Sequence, residues 1–435
     1  MTTITHPAPP TVIEETPSGA VGRRVPRHDA LLQVTGRVVY GDDMHAAGML
    51  WARAVRSPHP HARIAEVDLL PALSSPGVRA IITGRDVPRN RYGFTHQDQP
   101  VLAEDCVRHV GEAVAVVAAE TLRQAEEAAA RVMVRYEPLP AVFDPLEAMR
   151  TDAPRLHQDT NVAEHIRIRE GDVEAGFAQA DAIVEEEFTT GFVEHAHLEP
   201  HAGLAIPSPD GAITIYSSVQ RPFLVAGDTA KVLAMSQNRV RLIATGVGGG
   251  FGGKNEMTFE PWIALLALRT RRPVKIVFTR EEEFQATTVR HPYRMRYRTG
   301  VRADGTLLAR AVEIISDCGA YVSWGASTLA KASIHAAGPY AIPHVKIDGY
   351  LVYTNNPVGG AMRGFGVPQV GFAYECHTDA VAEAVTMDPI AFRLRNALRD
   401  GGHLPTGQVL ERVTLAETLR QALEMAEWRR EGRAS

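Results

Sequence analysis

The chain is short of the residues that build redox or metal scaffolds unaided. Its 435 residues include 3 cysteines, Cys106, Cys318 and Cys376, far apart and with no CxxC pair. That excludes a disulfide framework, a cysteine zinc site, and an iron–sulfur cluster held by this chain alone. Thiols so sparse suit a reducing cytoplasm. No apolar run approaches the roughly 18 residues that cross a bilayer. Neither sign of charge dominates: 46 Lys+Arg against 51 Asp+Glu leave −5, which argues for no nucleic-acid partner. Residues 1–20 lack the basic and apolar regions of a secretory signal; polar, proline-rich and aperiodic, they read as a disordered arm. The rest is ordinary globular composition, 45% hydrophobic and 22% charged, over a length of two or three domains.

Periodicity divides the chain into two blocks. In the first, residues 21–145, short β-rich runs (36–40, 50–55, 78–83) alternate with turn clusters. Residues 112–119, EAVAVVAA, read as a buried strand, leading into a helix over 121–132 and a return strand at 134–136. Strand–helix–strand in thirty residues indicates mixed α/β structure. A polar linker is expected at 146–168, a second block at 169–428 and a frayed tail at 429–435. In the second block, strands at 183–188, 213–217, 240–245 and 274–279 alternate with helices at 225–233 and 259–268. Asp388-Pro389 predicts a helix over 390–398, and Thr414 with Glu417 a capping box before another.

Two stretches stand out. Residues 246–253 hold six glycines and Phe251, followed by Lys254 and Asn255. So many glycines are costly unless a backbone must approach something closely or adopt positive φ. GxxxxGK from Gly248 to Lys254 lacks the Ser or Thr of a nucleotide-binding P-loop, since position 255 is Asn. An anion cradle of successive N–H groups fits better. In the second stretch, Pro357 to Gln369, Arg363 and Phe365 sit in a glycine-lined turn before a helix starting near Pro368. There an Arg suits an anion and a Phe suits a flat ring, although a tight turn with a surface Arg and a core Phe explains them equally. In EHAHLEPH (Glu194 to His201), HxH on a strand would put two imidazoles on one face, compatible with a metal. A polar strand end running into Pro200 is the preferred reading. Asp42-Asp43 and Glu185-Glu186-Glu187 read as solvated charge runs.

Together, GGGFGGK and, about 110 residues later, AMRGFG resemble the molybdenum hydroxylases, the xanthine dehydrogenase/aldehyde oxidase family. Residues 36–64 resemble the start of that family's α/β-hammerhead domain. Residues 171–188, the HLEP of His197 to Pro200, and Gly338-Pro339-Tyr340-Ala341-Ile342-Pro343 resemble its first molybdopterin-binding domain. The resemblance implies a mixed α+β and α/β fold, a hammerhead followed by that domain.

It also implies roles. Gln220, Gly249, Gly250, Phe251, Gly252 and Arg363 would surround a molybdenum cofactor, with Gln220, Phe251 and Arg363 lying just outside the metal's ligands. Asn255, Lys331 and Phe365 would meet the substrate. Purine-oxidising members carry Glu at position 255 and Arg at position 331, so Asn255 and Lys331 shift the expectation from xanthine toward a carboxylated heterocycle such as nicotinate. The family's catalytic Glu belongs to a second molybdopterin-binding domain, so no catalytic residue is expected here. The resemblance is to half of a split subunit. Its expected partners are a second molybdopterin-binding subunit, a 2Fe–2S subunit and an FAD subunit; a cytosine dinucleotide form of the pterin is left open. The alternatives are an aldehyde-oxidising member, a non-catalytic assembly subunit and, of another class, a nucleotide binder.

Overall fold

The structure, a computed structural model, describes residues 22–157 and 160–427. The expected arm and the expected tail lie outside these. Residues 22–39 belong to a small unit of their own, with one short helix, Ala30–Val34. The second unit runs from Tyr40 onward.

Its largest sheet has seven strands, in the order Val240–Ala244, Ile213–Ser217, Ala202–Pro207, Val274–Val277, Leu50–Arg56, Ala113–Ala119 and Val78–Thr83. The predicted buried run is its most enclosed strand: all seven residues of Ala113–Ala119 are buried, paired on both edges. Such a strand needs apolar residues on both faces, which is why it shows no alternation. Helices Pro222–Val232 and Glu260–Thr270 pack on this sheet through Val225, Ala230, Trp262, Ile263 and Leu266.

Leu50–Arg56 runs parallel to Val274–Val277, so the two blocks read from sequence share one sheet. The strand–helix–strand unit also divides. After the helix Leu122–Ala129, capped by the Thr121–Gln124 box, the return strand Met133–Pro138 joins a different, three-stranded sheet with Ala62–Asp68 and Cys106–Val107. Backbone pairing over hundreds of residues leaves no local periodicity from which to read it.

A five-stranded sheet, Val162–Glu170, His344–Tyr353, Leu307–Gly319, Tyr293–Val301 and Ala182–Thr190, carries helices Gly325–His335 and Val367–Ala384 over a core of Tyr297, Val312, Ile347, Leu351 and Val370. The expected linker 146–168 holds the end of a short helix, Pro145–Ala148, and most of the first of these strands. The strand expected at 36–40 is absent; Tyr40 makes only an isolated bridge to Gly246. The terminal helix Leu415–Met425 forms without the predicted Thr414 side-chain cap. The helix after Asp388 is Pro389–Asn396, its Asp388 carboxylate accepting from two backbone N–H groups.

Candidate functional site

The six-glycine loop leaves the edge strand Val240–Ala244, and the second loop leads into the helix Val367–Ala384. Tertiary folding brings the two loops into contact: Arg363 N–H donates to Phe251 O at 2.8 Å. Gly252 sits at φ +114°, where an added Cβ would overlap Ala361 O and lie 2.8 Å from Ala361 C and 3.0 Å from Met362 Cα. Only glycine permits that approach. His195 holds the same carbonyl, Nε2 to Ala361 O at 2.8 Å, and Arg290 donates to Arg363 O at 2.7 Å.

Gln220 binds the first loop from the side. Its N–H donates to Lys254 O at 2.8 Å, and its Oε1 accepts from Gly252 N at 3.0 Å and Lys254 N at 3.2 Å. With Oε1 held, the Nε2 hydrogens are the part of the amide left for a ligand. The N–H groups of Gly249, Gly250 and Phe251 donate to no acceptor among the described residues, although Gly250 is buried. Phe251 itself takes φ +53° and exposes 48% of its surface. Three successive free donors lie beside an amide and the loop that carries the exposed Arg363, an arrangement whose chemistry suits an anion.

Lys254 anchors the loop from beneath. It is 1% exposed, and its ammonium donates to Glu199 O at 2.8 Å and Glu199 Oε2 at 2.9 Å. Glu199 also accepts from Gly248 N at 2.7 Å and Gly41 N at 3.1 Å. Burial lowers the Lys254 pKa, and the Glu199 carboxylate opposes that shift.

The stretch 191–201 is irregular, which corrects the HxH-on-a-strand reading. Ala196 takes φ +49°, and the flanking rings part: His195 turns to the second loop, while His197 Nδ1 lies 2.6 Å from Glu199 O. His197 and His201 instead gather with Glu283 from the helix Arg280–Ala286, all three buried. His201 Nδ1 is 2.9 Å from Glu283 Oε2, and His197 Nε2 is 3.6 Å from it. Burial pulls the His197 pKa down to about 4; Glu283 is held at about 2, its own burial outweighed by His201.

An aromatic wall stands beside the second loop. Phe365, at φ +55°, meets Trp324 edge-on at 6.0 Å, and Trp324 stacks on Phe94 at 4.0 Å. The Arg221 guanidinium lies 5.0 Å over Trp324 and has no acidic partner among the described residues. Ser323, at φ +45°, donates to both Glu256 oxygens at 2.8 and 2.9 Å. Burial pushes the Glu256 carboxyl up to about 7, against the Ser323 hydrogen bond. Asn255 is half-buried, and its side chain makes no hydrogen bond among the described residues. Lys331 is exposed on Gly325–His335, the helix whose Thr328 and Ala332 lie against Gly366.

The structure therefore brings Gln220, Gly249, Gly250, Phe251, Gly252 and Arg363 together. It sets Phe365 next to them, Asn255 at the end of the cradle loop and Lys331 on the helix behind Phe365. Sequence reasoning missed Phe94, Arg221, Trp324 and Glu256. Glu256 and Arg221 each follow a residue already singled out, but Phe94 reaches the wall from the first block and left no signal. Asp42 is exposed, as the solvated-charge reading expects, and it also pairs at 2.9 Å with the buried Lys275.

Comparison with known proteins matches residues 156–397 to the molybdopterin cofactor-binding domain and residues 35–140 to the a/b hammerhead domain of aldehyde oxidase and xanthine dehydrogenase. The chain is 41% identical over 408 residues to the nicotinate dehydrogenase large molybdopterin subunit of Eubacterium barkeri, covering 93% of this chain and 96% of that one. It is 37% identical to the xanthine dehydrogenase molybdenum-binding subunit of Escherichia coli, spanning 92% of this chain and 55% of that protein. Among solved structures, aldehyde oxidoreductase from Desulfovibrio gigas superposes with a TM-score of 0.89 at 34% identity, over 92% of this chain and 46% of that one. The chain thus spans nearly all of one relative and about half of the other two. With both domains matched and the two loops meeting as one cradle, the chain belongs to the xanthine dehydrogenase and aldehyde oxidase family of molybdenum-dependent oxidoreductases.

Proposed function

We propose that this chain holds one side of a molybdenum cofactor in a multi-subunit hydroxylase of an N-heterocyclic aromatic, nicotinate- or purine-like, substrate. The observation that carries it is the run of free N–H donors at Gly249, Gly250 and Phe251 beside Gln220 and Arg363. The donors fit the group: an anionic, oxygen-rich ligand needs N–H groups, close backbone approach and little side-chain bulk. When bound, the cofactor supplies two-electron oxidation with oxygen taken from water.

The chain's own residues then bind and orient. Gln220 Nε2, the cradle amides and the Arg363 guanidinium fix the anion, while Phe365, backed by Trp324 and Phe94, offers a flat ring an aromatic face. Asn255 and Lys331, in place of a carboxylate and a guanidinium, favour a ring bearing a carboxylate over xanthine. The likeness to a nicotinate dehydrogenase subunit supports the same substrate class. No residue of the site is assigned as the catalytic base, which we place on a second molybdopterin-binding subunit; 2Fe–2S and FAD subunits would carry electrons away.

The test is to purify the chain with its native partners and measure molybdenum per complex. About one metal per chain is expected, with loss in Arg363→Ala. An active complex free of molybdenum would overturn the proposal. For the substrate, Lys331→Ala should raise the Michaelis constant for the carboxylated ring; an unchanged value refutes that part alone.

A further inference from the structure

Beneath the cradle loop, hydrogen-bond bookkeeping at the buried histidines does not close. His197 Nδ1 faces the Glu199 carbonyl at 2.6 Å, an acceptor only, so Nδ1 carries the ring's proton. His197 Nε2 then presents a lone pair, buried, without a hydrogen-bond partner, and 3.6 Å from a carboxylate oxygen of Glu283. Two electron-rich groups face each other with no donor between them. His201 differs at Nδ1, which lies 2.9 and 3.1 Å from the two Glu283 oxygens, with its backbone N–H also donating to Glu283 Oε1; its Nε2, like that of His197, is buried without a partner. The three side chains are 1%, 3% and 0% exposed, so bulk water does not supply the missing donors.

The nearby cations are already engaged. The Lys254 ammonium is bonded to Glu199, and Arg280 donates to the carbonyls of His197 at 2.8 Å and Leu198 at 3.0 Å. One ligand atom from each of His197, His201 and Glu283 lies within 4.8 Å of the others, so a small inward adjustment of the side chains, to about 3.4 Å between ligand atoms, would seat one tetrahedral ion. A histidine whose Nδ1–H is fixed by a backbone carbonyl, leaving Nε2 free, has the tautomer and orientation of a metal ligand. Two imidazoles and one carboxylate suit zinc, with water completing four ligands.

We propose that His197, His201 and Glu283 bind a structural zinc ion, separate from the cofactor cradle. It ties the 191–201 segment to the helix Arg280–Ala286. A Cβ on Gly249 would lie 3.1 Å from His197 Cβ, so the ion would brace the floor against which the cradle rests. This inference stands on buried side-chain geometry and does not need the proposed function.

The test uses the complex purified from zinc-supplemented cells and dialysed against a weak chelator. Elemental analysis should find about one zinc per chain, falling below about a tenth in His201→Ala and in Glu283→Gln. Zinc-edge X-ray absorption on the unmodified complex should show nitrogen and oxygen neighbours with the outer scattering of imidazole, and no sulfur. That measurement decides the ligand set even where a variant fails to fold. Less than a tenth of a zinc per chain in the unmodified complex, zinc retained by both folded variants, or a sulfur-ligated edge would each overturn the proposal.

Discussion

Gly252→Ala tests the junction between the two loops directly. The new Cβ would overlap Ala361 O and sit 2.8 Å from Ala361 C, with the backbone at φ +114°. Holding a residue with a Cβ in such a conformation costs about 1–3 kcal/mol. Relieving the overlap by separating the loops gives up the 2.8 Å bond from Arg363 N to Phe251 O, about 1 kcal/mol more. The sum is about 2–4 kcal/mol. Gly407→Ala is the control, because Gly407 has φ +83° but nothing within 4 Å of an added Cβ, so it carries backbone strain without overlap. Cooperative unfolding of 435 residues has an entropy of about 0.9 kcal/mol per kelvin, so Gly252→Ala should lower Tm by about 2–4 K. Where the cost falls on the cofactor-bound geometry, binding weakens about thirty- to several-hundred-fold. Thermal unfolding and molybdenum content of the purified complex are the assays. Gly252→Ala with the metal content and Tm of the unmodified complex would refute the claim that this contact builds the site.

Three further outcomes follow from neighbouring residues. Lys254→Met leaves the half-buried Glu199 with its backbone donors but no counter-charge, which should cost about 2–3 kcal/mol; an unchanged Tm would show that the Lys254–Glu199 pair is not what anchors the loop. Glu256 has a folded pKa raised to about 7 from about 4.5, so its contribution is fully present below about pH 4.5 and lost as pH rises through 7. Glu256→Gln should therefore flatten the fall in Tm between pH 5 and 7.5, and a slope identical to the unmodified protein would count against a neutral Glu256. Arg221→Ala should raise the Michaelis constant for an anionic ring by about tenfold while sparing kcat, since Arg221 touches the wall and not the cradle; equal effects on neutral and anionic rings would refute a charge role.

Local chemistry made much of this legible in the sequence. The buried strand Ala113–Ala119, the capped helix Leu122–Ala129 and the strand Ile213–Ser217 announce themselves by apolar runs, caps and alternation, which are properties of neighbours along the chain. The two glycine-rich loops were visible for the same reason: a backbone that must take positive φ or approach closely admits few residues, and Gly252, Gly364 and Gly366 all do so. What those glycines approach was not visible. Only the tertiary structure sets Phe251 O on Arg363 N, carries Phe94 to Trp324, and turns Glu199 from one letter of HLEP into the clamp on Lys254, Gly248 and Gly41. It alone gathers His197 and His201 around Glu283, eighty-two residues beyond His201, by breaking the strand that HxH spacing had suggested. Sequence determines which residues a backbone position tolerates, because that is decided within a few bonds. Which distant groups share a site depends on sheet pairing and loop closure, whose partners lie far along the chain.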